Sequence, residues 1–220
     1  MPLKLYFHPL ASYCWKVLVA LYENDTPFEP HIVGDGASHE TFEKLWPIAK
    51  FPLLRDDDRD ETVPESSIII EYLALHHPGR VALVPADADL ARATRLRDRF
   101  YDLYVHEPMQ KIVGDRRRPP GQKDLYGVEQ ARTLLATAYR MIDRQAGDAT
   151  WAMGETFTLA DCAAAPALFY ANKVLPLGRE HASTAAYLNR LLERPSFART
   201  VAEAQPYFGL FPQEESAPAR

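Results

Sequence analysis

The feature that most limits how this chain can fold is a change of pattern at residues 78–89. Before this stretch, short apolar segments typical of strands alternate with apolar residues at helical spacing. After it, helical spacing continues and no strand pattern appears. The stretch itself is rich in proline and aspartate, as connections between domains are. The sequence therefore predicts domains at 1–78 and 90–212, a linker at 79–89, and a flexible tail at 213–220.

The first domain is predicted to have the element order β-α-β-α-β-β-α. Its segment Leu3 to Val33 has the pattern of a strand, a helix and a second strand, which predicts a parallel pair with a right-handed crossover. A short helical patch follows at 41–46. Pro52 to Arg55 and Thr62-Val63 flank an acidic stretch, as the strands of a β-hairpin do. Residues 65–76 carry the broad apolar face of a packed helix.

The second domain is predicted to be entirely helical. Pro108 falls inside its first helical pattern and is expected to kink or interrupt that helix. Thr158 and Asp161 have the spacing of a helical capping box, which we interpret as purely structural. The helical patterns cover roughly 88–114, 124–146, 158–171, 183–193 and 195–204.

Charge and cysteine content exclude several functions. The net charge of -5 gives no electrostatic reason to bind nucleic acid or an anionic membrane, and we expect neither as a partner. The basic run 116–118 is interpreted as a solvated turn. Cys14 and Cys162 have no metal-ligand spacing, so no metal is expected. Two free thiols suit a reducing compartment, and we expect the protein to be cytoplasmic.

Two short motifs of the first domain can bind a peptide-like ligand. Phe51-Pro52 lies where a loop meets a predicted strand, and the proline either opens an edge strand or follows a cis bond. A cis bond would leave the Phe51 N–H and C=O free to pair with an extended peptide. Glu65 and Ser66 begin a helix, where they can be caps. They can also hold the ammonium and carboxylate of an amino acid, because helix N-termini attract anions.

The turn before the first helix contains a third motif, which can activate a thiol. Helix N-termini lower the pKa of a thiol beside them, and a hydroxyl can donate to the resulting thiolate. Ser12 suits this role, and it equally suits a helix N-cap. Cys14 is expected to be a buried small hydrophobic residue.

In this order and spacing, the motifs resemble the cytosolic glutathione transferase family from Leu3 to about Phe211. Phe51-Pro52 resembles the cis-proline that pairs with the cysteinyl backbone of glutathione. Glu65-Ser66 resembles the γ-glutamyl-binding motif, and Thr158 to Asp161 resembles the capping box of the helical domain.

The resemblance implies a thioredoxin-like α/β N-terminal domain, an all-α C-terminal helical bundle and glutathione as co-substrate. It also implies a homodimer paired through the helix at 65–76 and the first helix after the linker. The implied glutathione-binding residues are Ser12, Lys50, Phe51, Pro52, Glu65 and Ser66.

The resemblance leaves the class and the catalytic residue open. The segment ending in Trp15-Lys16-Val17 is similar to Ser-type zeta and theta classes, but Ala11 falls where those classes place the catalytic serine. Against the glutaredoxin pattern Cys-Pro-Tyr-Cys, this chain has alanine at the nucleophilic position, which argues against disulfide exchange. Ser12 is the catalytic candidate, and Tyr6 and Tyr13 are the alternatives.

Three functions are compatible with these motifs. The first is conjugation of the glutathione thiol to a small hydrophobic electrophile, and the second is a glutathione-dependent isomerase or dehalogenase. The third is a binding protein without turnover, which the alanine at position 11 favours. The second-substrate pocket is expected along the first helix of the second domain, although the same spacing equally suits a core. The candidate pocket residues are Tyr101, Tyr104, Val105 and Met109.

Overall fold

The computed structural model describes residues 3–34, 36–147 and 149–213. Residues 214–220 of the expected tail lie outside the described residues. The first half of the chain has the predicted element order. Its elements are β1 (Leu3–Phe7), α1 (Ser12–Glu23), β2 (Glu29–Ile32), α2 (Ala37–Leu45), β3 (Leu53–Asp56), β4 (Glu61–Pro64) and α3 (Ser66–His76).

The four strands form one mixed sheet in the order β2-β1-β3-β4. β1 and β2 are parallel, with Leu5 opposite Pro30, which confirms the predicted crossover unit. β3 and β4 form the predicted antiparallel hairpin. Along β1, the alternating residues Leu3, Leu5 and Phe7 are buried in the main core. This alternation places one face of the sheet against the core, where α1 also packs.

The second half of the described chain contains helices and no named strand. The thioredoxin-like domain is thus followed by an all-helical one, as predicted. Helix α4 begins inside the expected linker 79–89, and the domain limits 1–78 and 90–212 stay a prediction. The helices are α4 (Ala88–Phe100), α5 (Glu107–Arg116), α6 (Leu125–Ala146), α7 (Leu159–Val174), α8 (Ala182–Glu193) and α9 (Pro195–Ala204).

A π-helical turn, Tyr101–His106, separates α4 from α5 and confirms the predicted interruption. Pro108 has no N–H, so it cannot donate to the carbonyl four residues earlier, at Tyr104. The backbone widens here, and the N–H of Glu107 donates to the carbonyl of Asp102. Such turns place side chains at angles that a regular α-helix does not provide, and they are frequent at functional sites.

The predicted capping box at the start of α7 is confirmed. Asp161 is fully buried, and its carboxylate accepts a hydrogen bond from the backbone N–H of Thr158 at 2.8 Å. It also accepts one from the hydroxyl of Tyr187 at 2.6 Å, which ties α7 to α8. These contacts account for the motif as a structural one.

The two domains meet around a buried lysine on α1. The side chain of Lys16 is 1% exposed, and its Nζ lies 2.5 Å from Asp98 Oδ1 and 2.9 Å from Asp102 Oδ2. The same ammonium donates to Ser67 Oγ at 2.8 Å. Burial raises the pKa of Asp102, and the positive charge of Lys16 opposes this shift. The cluster joins α1 and α3 of the first domain to α4 and the π-turn of the second.

Replacing Lys16 with methionine is expected to lower the free energy of unfolding by about 3–5 kcal/mol, because two buried carboxylates lose their ammonium. Urea denaturation at one fixed protein concentration measures this. Lys44→Met, at an exposed lysine on α2, is the matched control and is expected to stay within about 0.5 kcal/mol of the parent. A Lys16→Met protein as stable as this control would contradict the role given to the cluster.

Candidate active site

Two adjoining cavities, which we call the first and second cavity, lie where the domains meet. The first cavity has a volume of about 330 Å³, and residues of α3, α4 and α5 contribute to its wall. The second cavity has a volume of about 660 Å³ and is bounded by the turn before α1, by α5 and by the segment 210–212. Phe51 and Gln110 line both cavities, so a ligand in one can contact a ligand in the other.

Five of the residues predicted to bind glutathione line the first cavity, and Ser12 lines the second. The Phe51–Pro52 peptide bond is cis, as the sequence suggested. The residues around the first cavity are Lys50, Phe51, Pro52, Glu65 and Ser66.

Glu65 and Ser66 have a geometry that helix capping alone does not explain. Glu65 has φ 70°, which is unfavourable for a residue with a Cβ, and its side chain makes no cap hydrogen bond to α3. Ser66 is buried, and its hydroxyl has no hydrogen-bond partner among the described residues. Strained backbone of this kind persists where the surrounding structure imposes it, often at binding sites. The first turn of α3 therefore offers a hydroxyl and free N–H groups to a ligand.

The second domain contributes charged side chains to the first cavity that the sequence analysis missed. Arg99, Asp102 and Glu107 line it, and Arg99 Nη1 donates to Asp102 Oδ2 at 3.2 Å. The other carboxylate oxygen of Asp102, Oδ1, is buried and has no partner among the described residues. Because Lys50 and Glu65 add one charge of each sign, the cavity suits a ligand that is both cationic and anionic. The i, i+3 spacing of Arg99 and Asp102 in the sequence was only a weak indication of a binding site, because such pairs are common on exposed helices.

Ser12 is the first residue of α1, after the N-cap Ala11, so the expectation that it caps the helix is wrong. Its side chain instead reaches across the domain boundary, and Ser12 Oγ lies 2.6 Å from His106 Nε2. Gln110 Nε2 lies 2.8 Å from the same imidazole nitrogen. Burial, assisted by the charge of Lys16, lowers the pKa of His106 to about 3. His106, at the end of the π-turn, is thus a neutral hydrogen-bonding partner of Ser12 that no sequence motif indicated.

The two tyrosine alternatives lie in different places. The ring of Tyr13 stacks on His106 at 3.7 Å between centroids and lines the first cavity. Burial raises its pKa, so the phenol stays protonated. The ring of Tyr6 stacks on His31 with 4.8 Å between the ring centroids. Tyr6 is not one of the described residues that line either cavity. Cys14 is fully buried with a raised pKa, which confirms the expectation of a small hydrophobic residue.

Of the four residues expected to line a second-substrate pocket, Met109 alone lines the second cavity in the described part of the chain. Tyr101 and Val105 are buried in the core, and Tyr104 is exposed. The expectation assumed regular helical spacing over residues 101–109 and is wrong for Tyr101, Tyr104 and Val105. The π-turn shifts the helix face, so that Met109, Gln110 and three later residues of this segment reach the cavity. Those three are Val113, Gly114 and Arg117.

Comparisons with known proteins agree with this geometry. Residues 5–81 match the model of the glutathione S-transferase N-terminal domain, and residues 126–197 match that of the glutathione S-transferase C-terminal domain. The chain therefore belongs to the glutathione transferase family. Among the described residues, no helix has both the length and the apolar character needed to cross a membrane.

Individual relatives cover most of the chain at low identity. Glutathione S-transferase GstB of Escherichia coli is 25% identical over 84% of this chain and 91% of its own length. The stringent starvation protein A homolog of Coxiella burnetii is 29% identical over 91% of this chain and 92% of its own. A glutathione S-transferase of Methylobacillus flagellatus, solved with GSH bound, superposes with a TM-score of 0.82 at 26% identity. This superposition covers 90% of this chain and 98% of the other.

His106→Gln is expected to make the protein less sensitive to acid. Free histidine has a pKa of about 6.5, and the folded protein lowers that of His106 to about 3. The unfolded state therefore binds a proton that the folded state does not, and stability falls as the pH drops through this window. Between pH 7 and pH 5, His106 therefore lowers the free energy of unfolding by about 2 kcal/mol. The His106→Gln protein has no such group and should not show this part of the loss. Urea denaturation at both pH values tests it; equal losses in the two proteins would contradict it.

Proposed function

We propose that this protein is a glutathione transferase that joins the thiol of glutathione to a small electrophile. The observation that carries the proposal is the contact between the two cavities at Phe51 and Gln110. A tripeptide in the first cavity, with its cysteine at Phe51, has its sulfur at the opening into the second. The sulfur then forms a bond to an electrophilic carbon there, a leaving group departs with its electron pair, and the thiol proton goes to solvent.

The γ-glutamyl end of glutathione is proposed to bind at the start of α3. Its α-carboxylate accepts hydrogen bonds from Ser66 and from the free N–H groups of the first helical turn. Its ammonium lies between Glu65 and Asp102, both of which line the first cavity. This position supplies the donor that Asp102 Oδ1 lacks among the described residues. Lys50, in the same cavity wall, is proposed to face the glycine carboxylate at the other end.

Ser12 is proposed to stabilise the thiolate. A cysteine thiol has a pKa of about 8.5, so an enzyme must favour the anion to use it near neutral pH. In the tautomer of His106 with its proton on Nε2, and with the Gln110 amide turned so that its oxygen faces the ring, Nε2 donates to Ser12 Oγ at 2.6 Å and leaves the serine hydrogen free to point at the sulfur. His106 cannot store the thiol proton, because burial holds its pKa at about 3. It therefore acts as a positioning residue, and Ser12 as the donor.

One panel of variants separates binding from activation. Ser66→Ala removes a hydrogen bond to a charged group, worth about 1.5–3 kcal/mol, and is expected to raise the KM for glutathione tenfold or more. Its pH profile of turnover, measured with a chlorodinitrobenzene-type electrophile, should match that of the parent. Ser12→Ala is expected to shift this profile upward by about one pH unit, which corresponds to about 1.36 kcal/mol.

Tyr13→Phe and Tyr6→Phe are the controls of this panel. A shift confined to Tyr13→Phe would transfer the role of donor to Tyr13, and a shift confined to Tyr6→Phe would contradict the placement of Tyr6 outside the cavities. An unchanged KM in Ser66→Ala would refute the γ-glutamyl site.

A binding protein without turnover is the second candidate function. Ala11 favours it, because this position aligns with the catalytic serine of the similar classes. Retention on immobilised glutathione without any turnover would support it over the transferase.

We also propose a homodimer in the cytoplasm. Apolar side chains on α3 and α4 face solvent in the single chain, among them Leu75, which is 74% exposed, and Leu96. Arg95 on α4 holds Glu71 on α3 through two hydrogen bonds of 2.8 Å, which keeps the two helices together as one surface. Exposed apolar side chains that lie on two linked helices favour an interface, and small assemblies usually close with two-fold symmetry. Both cysteines are buried free thiols, as in proteins of reducing compartments.

Leu96→Glu is expected to turn the dimer into a monomer, because it places a charge at the centre of the proposed interface. Sedimentation velocity at micromolar concentration measures the change. Leu125→Glu, at an equally exposed leucine at the start of α6, is the control and should leave the dimer intact. A parent protein that sediments as a monomer would contradict the proposal.

A further inference from the structure

The three arginines at the end of α5 have different surroundings. Arg116 donates to the carbonyl of Pro212 at 3.2 Å. Arg118 lies 3.8 Å from the carboxylate of Asp115. Arg117 lines the second cavity, and its guanidinium makes no hydrogen bond or ion pair with any described residue. Arg117 is exposed in the turn that follows α5, as expected for 116–118, and its side chain is also accessible from the second cavity.

The rest of the second cavity wall offers no counter-charge to Arg117. Its described lining residues are mainly apolar, for example Leu10, Val113 and Phe211, and none of them is an aspartate or a glutamate. The remaining basic group, His8, has a pKa lowered by burial and by the nearby charge of Arg117, so it is neutral near pH 7. The cavity thus combines apolar walls with one permanent positive charge. Such a site favours a ligand with an apolar body and one anionic group.

The position of Arg117 relative to the reaction centre indicates where the anionic group of the ligand lies. Gln110, which the two cavities share, and Arg117 are both on the cavity side of the α5 segment. They are seven residues apart, which is about 10 Å along a helix. Side chains of a helix tilt toward its N-terminus, which shortens the span that a ligand has to cover. A ring between the two residues can therefore present its reactive carbon to the sulfur. Its anionic substituent then points away from the sulfur, toward the guanidinium.

We propose that the second substrate of this protein is an aromatic or similarly flat electrophile that carries a carboxylate, and that Arg117 binds this carboxylate. The proposal rests on the proposed transferase function and adds the substrate class to it. Arg117 thereby determines specificity and takes no part in the chemical step.

The test compares two electrophiles of the same shape, 4-chloro-3-nitrobenzoate and 4-chloro-3-nitrobenzamide. With either, the thiolate sulfur bonds to the ring carbon, the C–Cl bond breaks, chloride leaves with the electron pair, and the thiol proton passes to the buffer. Arg117→Gln is expected to lower kcat/KM for the benzoate about three- to fivefold, as for the loss of one exposed ion pair. The value for the benzamide should stay within about twofold, since it forms no ion pair.

Two further variants serve as controls for charge and for folding. Arg117→Lys keeps the positive charge and is expected to keep most of the preference for the benzoate. Arg118→Gln removes an adjacent arginine that is not among the described lining residues. It should leave kcat/KM unchanged for both electrophiles. Equal losses for both electrophiles in Arg117→Gln, or a raised KM for glutathione with both, would overturn the proposal.

Binding of conjugates separates a failure of this proposal from a failure of the transferase function. If the parent protein turns over neither of these electrophiles nor the chlorodinitrobenzene-type one, the transferase function fails. Calorimetry then compares S-(4-carboxy-2-nitrophenyl)glutathione with its carboxamide analogue. Tighter binding of the carboxylate, lost in Arg117→Gln, would support the site. Equal binding of the two, or binding of neither, would refute it.

Discussion

The buried ammonium of Lys16 constrains both halves of this molecule at once. A charge this deep needs carboxylates around it, and Asp98 and Asp102 come from the other domain. The domains therefore cannot slide or rotate without breaking charged contacts in a low-dielectric interior. Because α1 begins with Ser12 and contains Lys16, the same constraint fixes the serine against the second domain. The geometry of the candidate site thus depends on a charge cluster located behind it.

The π-turn between α4 and α5 connects this cluster to the site. Asp102 lies near its beginning, where it accepts from Lys16, and His106 lies at its end, where it meets Ser12. One irregular turn therefore holds a partner for the buried lysine and a partner for the serine. Pro108, directly after it, prevents the regular helix that would place these side chains elsewhere. The irregular backbone of this turn therefore positions residues of the candidate site.

In the conjugation reaction that we propose, the two cavities bind different ligands. The first carries charges of both signs, which suits a zwitterionic tripeptide. The second is mainly apolar with the single charge of Arg117, which suits a hydrophobic partner with one anionic group. The boundary lies at Phe51, and Ser12 lies beside it in the second cavity. Binding both ligands at this boundary gains rate by proximity, because the sulfur and the electrophilic carbon are held together.

The sequence by itself determined the order of elements, the parallel pair and hairpin, and the capping box at Thr158. These depend on residues close together in the chain, so periodicity and short motifs reveal them. The cis Phe51–Pro52 bond was one of two interpretations of its motif, and the structure decided between them. The tertiary structure alone decided which residues of α4, the π-turn and α5 face the cavities. The π-turn changed the helix face, and Tyr101, predicted for the pocket, is in the core. It also decided that Ser12 bonds to His106, a residue 94 positions away. Contacts between distant segments depend on how whole domains pack, and no local pattern records them.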